Sequence, residues 1–202
     1  RDPKHLVSEG SKALRSFDRV IANPPFSLKE WGHDTWKNGD VYGRDVYGCP
    51  PPKYGDLAFV QHMLASLNYN GKIAVVVPHG VLFRGDSEGS IRRQFVDADL
   101  VEGVIGLASN MFYGTPIAAA ILVLNKNKSE AMREKVVVVN ASQSFSKGTP
   151  KNYLSTQDAS SIMDAYFSKE QQTDISCHVS KADIISNDYS LNITRYVSLG
   201  EV

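Results

Sequence analysis

Residues 17–26 read FDRVIANPPF, and this stretch decides the predicted fold. Phe17 to Ala22 has the apolar, partly β-branched content of a short buried strand. Asn23-Pro24-Pro25 ends that strand abruptly, because proline cannot donate to a sheet ladder. Open α/β sheets bind ligands at the carboxyl ends of their strands, near the point where strand order reverses. The turn therefore lies where such a sheet would hold a ligand.

The segments that follow alternate between helical and strand patterns. Apolar residues recur at three- and four-residue steps from Asp56 to about Asn68, which predicts a helix that Asn70-Gly71 closes. The run 72–77, KIAVVV, shows no alternation and predicts a strand covered on both faces. Further elements are predicted as a helix opening at Ser87, strands over 100–107, 117–124 and 136–139, and a helix over 155–167.

This order of elements predicts an α/β fold with a mostly parallel sheet. The strands near residues 104 and 121 lie close enough in the chain to pair as an antiparallel hairpin, which we expect at an edge of the sheet. Residues 27–55 are rich in glycine, proline and aromatic residues and lack a helical period, so they predict an irregular lid or binding loop. The charged run 126–135 predicts a solvated connection.

Composition limits the classes of function. The chain has 202 residues and 42% hydrophobic content, which is enough for one domain with a real core. Its 22 basic and 22 acidic residues cancel, so its overall field would not capture nucleic acid. Cys49 and Cys177 lack the spacing of a disulfide framework or a metal site. Because no apolar run reaches the length of a membrane helix, we expect a soluble, cytoplasmic protein without membrane contact.

The turn at Asn23-Pro24-Pro25-Phe26 can perform one specific chemical task. The Asn23 side-chain oxygen and the Pro24 carbonyl are acceptors that the prolines hold in place, and together they can accept both hydrogens of a planar amine. Such hydrogen bonds favour a tetrahedral nitrogen, so its lone pair turns toward an electrophile without prior deprotonation. Phe26 would stack on the ring that carries the amine. The plainer alternative is a stiff turn with no chemical role.

Six segments of the chain carry a further pattern in a fixed order. They are 18–27 (DRVIANPPFS), 55–64 (GDLAFVQHML), 71–83 (GKIAVVVPHGVLF), 88–92, 104–107 with 110–124 (VIGL, then NMFYGTPIAAAILVL), and 188–197 (DYSLNITRYV). Together they resemble the amino-group methyltransferases that use S-adenosylmethionine. Within that family they resemble the modification subunits of type I restriction–modification systems, which are adenine-N6 DNA methyltransferases. The resemblance covers most of the chain and implies a Rossmann-like methyltransferase fold.

The resemblance also implies roles for individual residues of the turn. It makes Asn23 and Pro24 the residues that hold the adenine amine, with Pro25 part of the same catalytic loop. Phe26 becomes the stacking partner of the adenine ring. Asn23 and Pro24 would also form one edge of the site for the cofactor, S-adenosylmethionine. The methyl group would then pass from that cofactor to adenine N6.

A second aromatic ring is implied by the loop Asn110–Gly114. This loop resembles the later motif that places an aromatic side chain against a flipped base, and either Phe112 or Tyr113 could supply the ring. His79 follows the next strand and fits a hydrogen-bonded turn residue better than a catalytic base. The two tryptophans within 27–55 could stack bases, although loop aromatics more often pack locally.

The sequence departs from the family at its beginning. A complete methyltransferase domain has three strands before the Asn-Pro-Pro strand, and a glycine-rich turn after the first one holds the cofactor. No G-x-G occurs in this chain. We therefore expect residues 1–140 to be the carboxyl-terminal half of a catalytic domain from which the amino-terminal half of the sheet is missing. We also expect the isolated chain to be inactive and unable to bind the cofactor. Residues 141–202 would be an extension that packs on this half or contacts partner subunits.

The expected partners follow from the same resemblance. Strand 17–22 would expose an unpaired edge, through which the chain could self-associate. Neither a recognition helix nor a basic stripe is visible, so DNA sequence must be read by another subunit. The resembled systems use a specificity subunit for this task and include a restriction subunit. Two alternatives stay open: a protein-glutamine N5 methyltransferase with a similar Asn-Pro-Pro-Tyr loop, and a non-catalytic scaffold that binds a specificity or nuclease subunit.

Overall fold

The computed structural model describes residues 13–113 and 115–199. The strands are β1 Phe17–Ala22, β2 Leu67–Pro78, β3 Val101–Leu107, β4 Ala119–Asn125, β5 Lys135–Ala141 and β6 Ser176–Ser180. The α-helices are α1 His33–Lys37, α2 Asp56–Ala65, α3 Asp86–Asp97, α4 Thr156–Tyr166 and α5 Lys181–Ser186. Short 3-10 helices are found at His79–Leu82, Glu130–Met132 and Ile193–Arg195. Within these two ranges, no helix has the length and apolar character needed to cross a bilayer.

The six strands form one mixed sheet in the order β1-β2-β4-β3-β5-β6. β1 is parallel to β2, and β3 is parallel to β5, whereas β4 and β6 run antiparallel to their neighbours. Four of the six strands therefore point the same way, which confirms the prediction of an α/β fold with a mostly parallel sheet. β1 is an edge among the described strands, and its Ile21 side chain is 83% exposed.

The hairpin of β3 and β4 is antiparallel as predicted, but its predicted position at the edge of the sheet was wrong. β4 pairs with β3 on one side and with β2 on the other, so it lies in the middle of the sheet. The physical reason is visible in its sequence, AAILVLN, which is apolar at every position but the last. Strands of that kind are typically covered by neighbours on both sides, because an apolar edge invites aggregation.

β2 begins earlier than its sequence pattern predicts. α2 ends at Ala65 and β2 starts at Leu67, so Asn70 and Gly71 lie within β2 and do not close the helix. The register between β1 and β2 shifts at this point, and the extra residues of β2 form a bulge. An Asn-Gly pair therefore marked a bulge inside a strand, although it usually indicates a turn.

Helices cover both faces of the sheet. α2, α3 and α5 pack on one face, where Leu57, Phe95 and Ile184 belong to the main hydrophobic cluster. α4 packs on the opposite face, where Ile162 and Tyr166 belong to a second cluster. Side chains of β5 alternate between the two clusters, as the pleat of a strand requires. The sheet is thus held between two helical layers, and its loops are left to form the site.

The carboxyl-terminal segment contributes to the same sheet. α4 spans Thr156–Tyr166, close to the predicted 155–167, and Ser155 and Asp158 form a capping box at its start. The tail beyond α4, for which the sequence pattern predicted no strand or helix, contains β6 and α5. β6 pairs with β5, and the predicted division after residue 140 falls inside β5. Residues before and after that division therefore share one sheet.

The segment 27–55 is irregular apart from α1, and the Asp40 carboxylate organises part of it. That carboxylate accepts the backbone N–H groups of Tyr42 at 3.1 Å and Arg44 at 3.0 Å, together with the Arg44 side chain. Burial alone would raise the pKa of Asp40, but the hydrogen bonds from Arg44 outweigh it and lower the pKa below its usual value. The Arg44 guanidinium also lies 5.2 Å from the centroid of the Trp36 ring.

The charged run 126–135 is only partly solvated. Lys128 is buried, with its Nζ 2.6 Å from the Asp99 carboxylate and 2.8 Å from the Lys135 carbonyl. The prediction of a solvated connection was wrong for Lys128, because Asp99 lies in the turn between α3 and β3. Because Asp99 is distant in sequence, the composition of residues 126–135 does not indicate this ion pair.

Candidate active site

Two loops at the carboxyl end of the parallel strands line one cleft of about 610 Å³. One loop follows β1, and the other joins β3 to β4. The lining residues are Asn23, Pro24, Pro25, Phe26, Met111, Phe112, Tyr113, Thr115 and Lys151. All six residues that the sequence indicated for the site are therefore brought together, although the two groups lie about 90 positions apart in the chain.

The acceptors of the Asn-Pro-Pro turn are available to a ligand. Asn23 is exposed at the end of β1, and its side chain makes no hydrogen bond to any residue in the described ranges. The Pro24 carbonyl likewise accepts no hydrogen bond from the described part of the chain. Because β1 ends at Ala22 and two prolines follow, the backbone holds the Pro24 carbonyl in place, whereas Asn23 Oδ1 is carried by a side chain that no described residue holds.

The start of α2 fastens the far end of the turn. Ser27, with φ +50°, donates its backbone N–H to Asp56 Oδ1 at 2.8 Å, and the Gly55 N–H donates to the Leu28 carbonyl at 3.0 Å. Asp56 is the first residue of α2 and is buried. Burial raises the pKa of Asp56, while the Ser27 N–H and the nearby Arg84 charge act in the opposite direction. The chain is thus pinned directly after Phe26.

Arg84 supports Asp56 from behind. Its Nη1 lies 3.9 Å from Asp56 Oδ2 and 3.2 Å from Glu88 Oε2, and its guanidinium packs over the Tyr54 ring at 4.2 Å from the centroid. A side chain at Gly80 would meet this guanidinium, since a Cβ there would clash with Arg84 Nε. Three of the six resembling segments, 55–64, 71–83 and 88–92, therefore meet at one support beneath the turn.

Two aromatic rings face each other in the cleft. The Phe26 and Phe112 ring centroids are 5.6 Å apart, with an interplanar angle of 68°. Tyr113 also lines the cleft but is 77% exposed. Lys151 Nζ lies 4.9 Å from the centroid of the Tyr113 ring. The sequence left open which of the two neighbours faces Phe26, and in the structure it is Phe112.

The loop between β3 and β4 is held in a tight conformation. Asn110 has φ +57°, and Phe112 and Thr115 form an isolated antiparallel bridge. Asn152 ties this loop to the carboxyl-terminal segment: its backbone N–H donates to the Asn110 carbonyl at 2.8 Å, and its Nδ2 donates to the Ser109 carbonyl at 3.0 Å. The wall of the cleft is therefore shared by two distant parts of the chain.

The other sequence candidates lie outside the cleft. His79 packs edge-on against Phe83 at 5.8 Å, and burial lowers the pKa of its imidazole. Trp31 donates its indole N–H to the Pro51 carbonyl and packs on Trp36 at 5.6 Å. These contacts fit the local packing that was the alternative for each residue.

Sequence reasoning missed Met111, Thr115 and Lys151 as lining residues. The first two are neighbours of predicted residues and follow once the loop is recognised. Lys151 lies between β5 and α4, directly after Thr149-Pro150, and nothing in its sequence surroundings indicates a site. No group of three or more His, Cys, Asp or Glu side chains in the described ranges could hold a metal ion.

A second cavity of about 650 Å³ lies at the opposite end of the sheet. Glu102 on β3 is nearly buried there, and it accepts hydrogen bonds from Lys72 Nζ at 3.0 Å, from the Tyr166 hydroxyl at 3.2 Å and from the Asn125 amide. Burial first, and then the Glu102 carboxylate, raise the pKa of Tyr166 above its usual value. This cavity is charged, but its buried charges are paired.

Comparison with known proteins gives concordant results. Residues 3–202 match the family described as N-6 DNA Methylase. The chain is 34% identical over 96% of its length to the type I restriction enzyme MpnII methylase subunit of Mycoplasma pneumoniae, and covers 35% of that protein. It is 36% identical over 93% of its length to the MjaVIII methylase subunit of Methanocaldococcus jannaschii, and covers 33% of it.

A solved structure is similar throughout. The methyltransferase subunit of a type I restriction-modification system from Streptococcus thermophilus superposes with a TM-score of 0.85 at 34% identity, over 98% of this chain and 40% of the other. The present chain spans about a third of the length of the curated relatives that it matches. The resemblance drawn from six sequence segments is confirmed, as is the Rossmann-like methyltransferase fold.

Proposed function

The chain belongs to the N-6 DNA methylase family, and from this premise we propose that it forms the amine-binding part of an adenine-N6 DNA methyltransferase. The proposed enzyme acts within a type I restriction–modification complex. One observation carries the proposal: the free acceptors of Asn23 and Pro24 line the same cleft as the Phe26–Phe112 pair. An amine acceptor beside an aromatic face is what the methylation of a nucleobase amine requires.

The Asn-Pro-Pro turn would activate the amine by hydrogen bonding. Asn23 Oδ1 and the Pro24 carbonyl would each accept one N–H of adenine N6, which draws its lone pair out of conjugation with the ring. Neither a carboxylate nor a histidine is among the described lining residues, so this arrangement supports attack without a general base at the amine. After transfer, the extra proton on nitrogen would remain within reach of Asn23 Oδ1 until water at the open mouth accepts it.

The adenine ring would enter between Phe26 and Phe112. The two rings now touch at 5.6 Å. A base held between them needs a ring separation of about 7 Å, which is twice the usual contact distance between stacked carbon atoms. We therefore assign Phe112, and not Tyr113, as the second stacking ring, and binding would replace the contact between Phe26 and Phe112 with two base contacts.

The described residues fit only one side of the cofactor site. S-adenosylmethionine, when bound, supplies the electrophilic methyl group on a sulfonium sulfur. Asn23 and Pro24 would form the edge of its site that adjoins the amine, while the glycine-rich turn for the rest of the cofactor has no counterpart in this chain. We propose that residues 1–140 are the carboxyl-terminal half of the catalytic domain and that residues 141–202 complete its sheet.

DNA, a specificity subunit and a restriction subunit are the proposed partners. The relatives named above are methylase subunits of type I restriction enzymes, which supports an assembly of this kind. The outer side of β1, which is an edge among the described strands, is the proposed surface for pairing with a further strand, either of the same protein or of a second copy.

The test is methylation of adenine-containing duplex DNA by the full-length protein in its complex. Asn23→Ala removes one acceptor, and we expect the transfer rate to fall by about 10²–10³-fold, as for loss of one hydrogen bond to a transition state. Asn127→Ala is the matched control, because Asn127 lies at the opposite cavity. We expect the control to keep full activity and both variants to remain folded.

Three outcomes would redirect the assignment. An Asn23→Ala complex that methylates DNA at the normal rate would contradict the proposed role of the turn. If that variant still protected its DNA from cleavage without methylating it, a non-catalytic scaffold would be favoured. Transfer to the glutamine of a release-factor-type protein, but not to DNA, would identify a protein-glutamine methyltransferase.

A further inference from the structure

The cleft contains one charged side chain among its described lining residues, and it comes from outside both predicted motifs. Lys151 lies between β5 and α4, and its Nζ is above the ring of Tyr113 at the mouth of the cleft. We propose that Lys151 binds a backbone phosphate next to the target adenine. This inference rests on the proposed function and adds a DNA contact that neither motif supplies.

The Lys151 ammonium is available for an anion. No carboxylate within the described ranges lies at ion-pair distance from it, whereas the buried Lys128 is paired with Asp99 and the half-buried Lys72 with Glu102. Its contact with the Tyr113 ring is a cation–π interaction, which orients the ammonium without neutralising its charge. The Lys151 side chain is itself half-buried, so its methylene groups are already partly ordered against the cleft.

The backbone that carries Lys151 is fixed relative to the aromatic pair. The next residue, Asn152, donates two hydrogen bonds to the loop that holds Phe112. Ser146 and Tyr153 exchange two backbone hydrogen bonds at 2.9 and 3.0 Å, which closes the 146–153 hairpin. The ammonium is therefore positioned by the same loop that positions the stacking ring. Its binding to a phosphate should cost little further conformational entropy of the Lys151 side chain.

A phosphodiester matches this position better than other anions of a DNA complex. A base that enters the cleft amine-first leaves its sugar and flanking phosphates at the mouth, where Lys151 and Tyr113 lie. The chain as a whole has a formal net charge of zero, so a local cation is the means by which it can attract a phosphate here. The alternative occupant, an acidic side chain of a partner subunit, is distinguished by experiment.

The experiment measures DNA binding by the full-length complex as a function of salt. Lys151→Met removes the charge at similar length, and Lys151→Arg keeps it; Lys169→Met, at the opposite cavity, is the control. We expect Lys151→Met to reduce the slope of log K against log salt by about 0.9, as for the loss of one phosphate contact. Lys151→Arg and the control should keep the original slope.

DNA with a neutral methylphosphonate beside the target adenine tests the same contact from the other side. The wild-type complex should lose affinity for this DNA, and Lys151→Met should lose nothing further. An unchanged salt slope in Lys151→Met, or fully additive losses, would overturn the inference. The inference would also be overturned if Lys151→Met weakened subunit assembly while the salt slope of DNA binding stayed the same. That result would indicate that Lys151 pairs with a carboxylate of a partner subunit.

The outcome separates this inference from the proposed function. Asn23→Ala is expected to lose methylation while it keeps the salt slope of the wild type. Lys151→Met is expected to show the reduced salt slope and a weaker affinity for DNA. If Asn23→Ala is inactive and the slope of Lys151→Met is unchanged, only the phosphate contact is rejected; if Asn23→Ala is fully active, the amine-binding role is rejected.

Discussion

The two cavities at opposite ends of the sheet are similar in size, at about 610 and 650 Å³, but differ in how their polar groups are satisfied. In the cavity at the amino ends of β2 and β3, Glu102 is bonded to Lys72, Asn125 and Tyr166. In the cleft, the acceptors of Asn23 and Pro24 have no described partner. Volume and charge therefore do not distinguish a binding site here, whereas unused hydrogen-bonding capacity does.

The paired network also has a mechanical role. Its members belong to β2, β3, β4 and α4, so a single carboxylate joins three adjacent strands to the helix that covers them. Buried carboxylates are tolerated only when such partners replace water. We interpret this cavity as a support of the fold, and the cleft as the place where hydrogen bonds are left for a substrate.

The largest effect is expected from Glu102→Ala. Removal of the shared carboxylate leaves Lys72, Asn125 and Tyr166 without their acceptor, and the free energy of unfolding should fall by about 1–3 kcal/mol for each of the two buried donors, Asn125 and Tyr166. Hydrogen exchange of the β3 amides in the full-length protein measures this loss. Glu130→Ala, at an exposed position of the same face, is the control. A β3 that exchanges no faster in Glu102→Ala would contradict the division between a supporting and a binding cavity.

A smaller effect is expected at the aromatic pair. Phe112→Ala should weaken the proposed capture of an adenine base by about 1–3 kcal/mol, since stacking of one base on an aromatic ring contributes this amount. Tyr113→Ala, which changes an exposed neighbour, should weaken it far less. A fluorescent adenine analogue at the target position reports capture directly. Equal losses in the two variants would show that Phe112 is not the specific stacking ring.

The smallest effect concerns the pH dependence of the segment 27–55. The pKa of Asp40 is lowered in the folded chain, so its carboxylate stabilises this segment above the ordinary aspartate pKa, and that stabilisation is lost as pH falls through the lowered value. Proteolysis within the segment should accelerate over that acidic range. Asp40→Asn should abolish the pH dependence, whereas Asp34→Asn, at an exposed position, should preserve it. A wild-type rate that is constant with pH would exclude this role.

The local parts of the fold and site could be predicted from the sequence. The strand before Asn23, the prolines that end it and the helix capped by Ser155 depend on neighbours within a few residues, and each was found at its expected place. The prediction that this strand is buried was wrong, because β1 is an edge among the described strands and is mostly exposed. The same holds for the lining residues Phe26 and Phe112, because each follows a recognisable strand.

What the sequence could not indicate depends on distant partners. The central position of β4 arises because the crossover through α3 places β3 beyond it, and spacing along the chain specifies pairing with β3 alone. Lys128 is buried because Asp99 meets it from another turn. Lys151 reaches the cleft only because Asn152 is bonded to the loop before β4. None of these contacts leaves a periodic or compositional pattern.

The ties from Asn152 to the loop before β4 set the order in which the molecule can be assembled on the ribosome. The turn after β1 emerges early, but the wall opposite it is not fastened until residue 153 and its hairpin partner have left the exit tunnel. A nascent chain therefore displays the acceptors of Asn23 before the opposite wall of the cleft is in place. That wall can be fastened only after β1 to β5 have been synthesised.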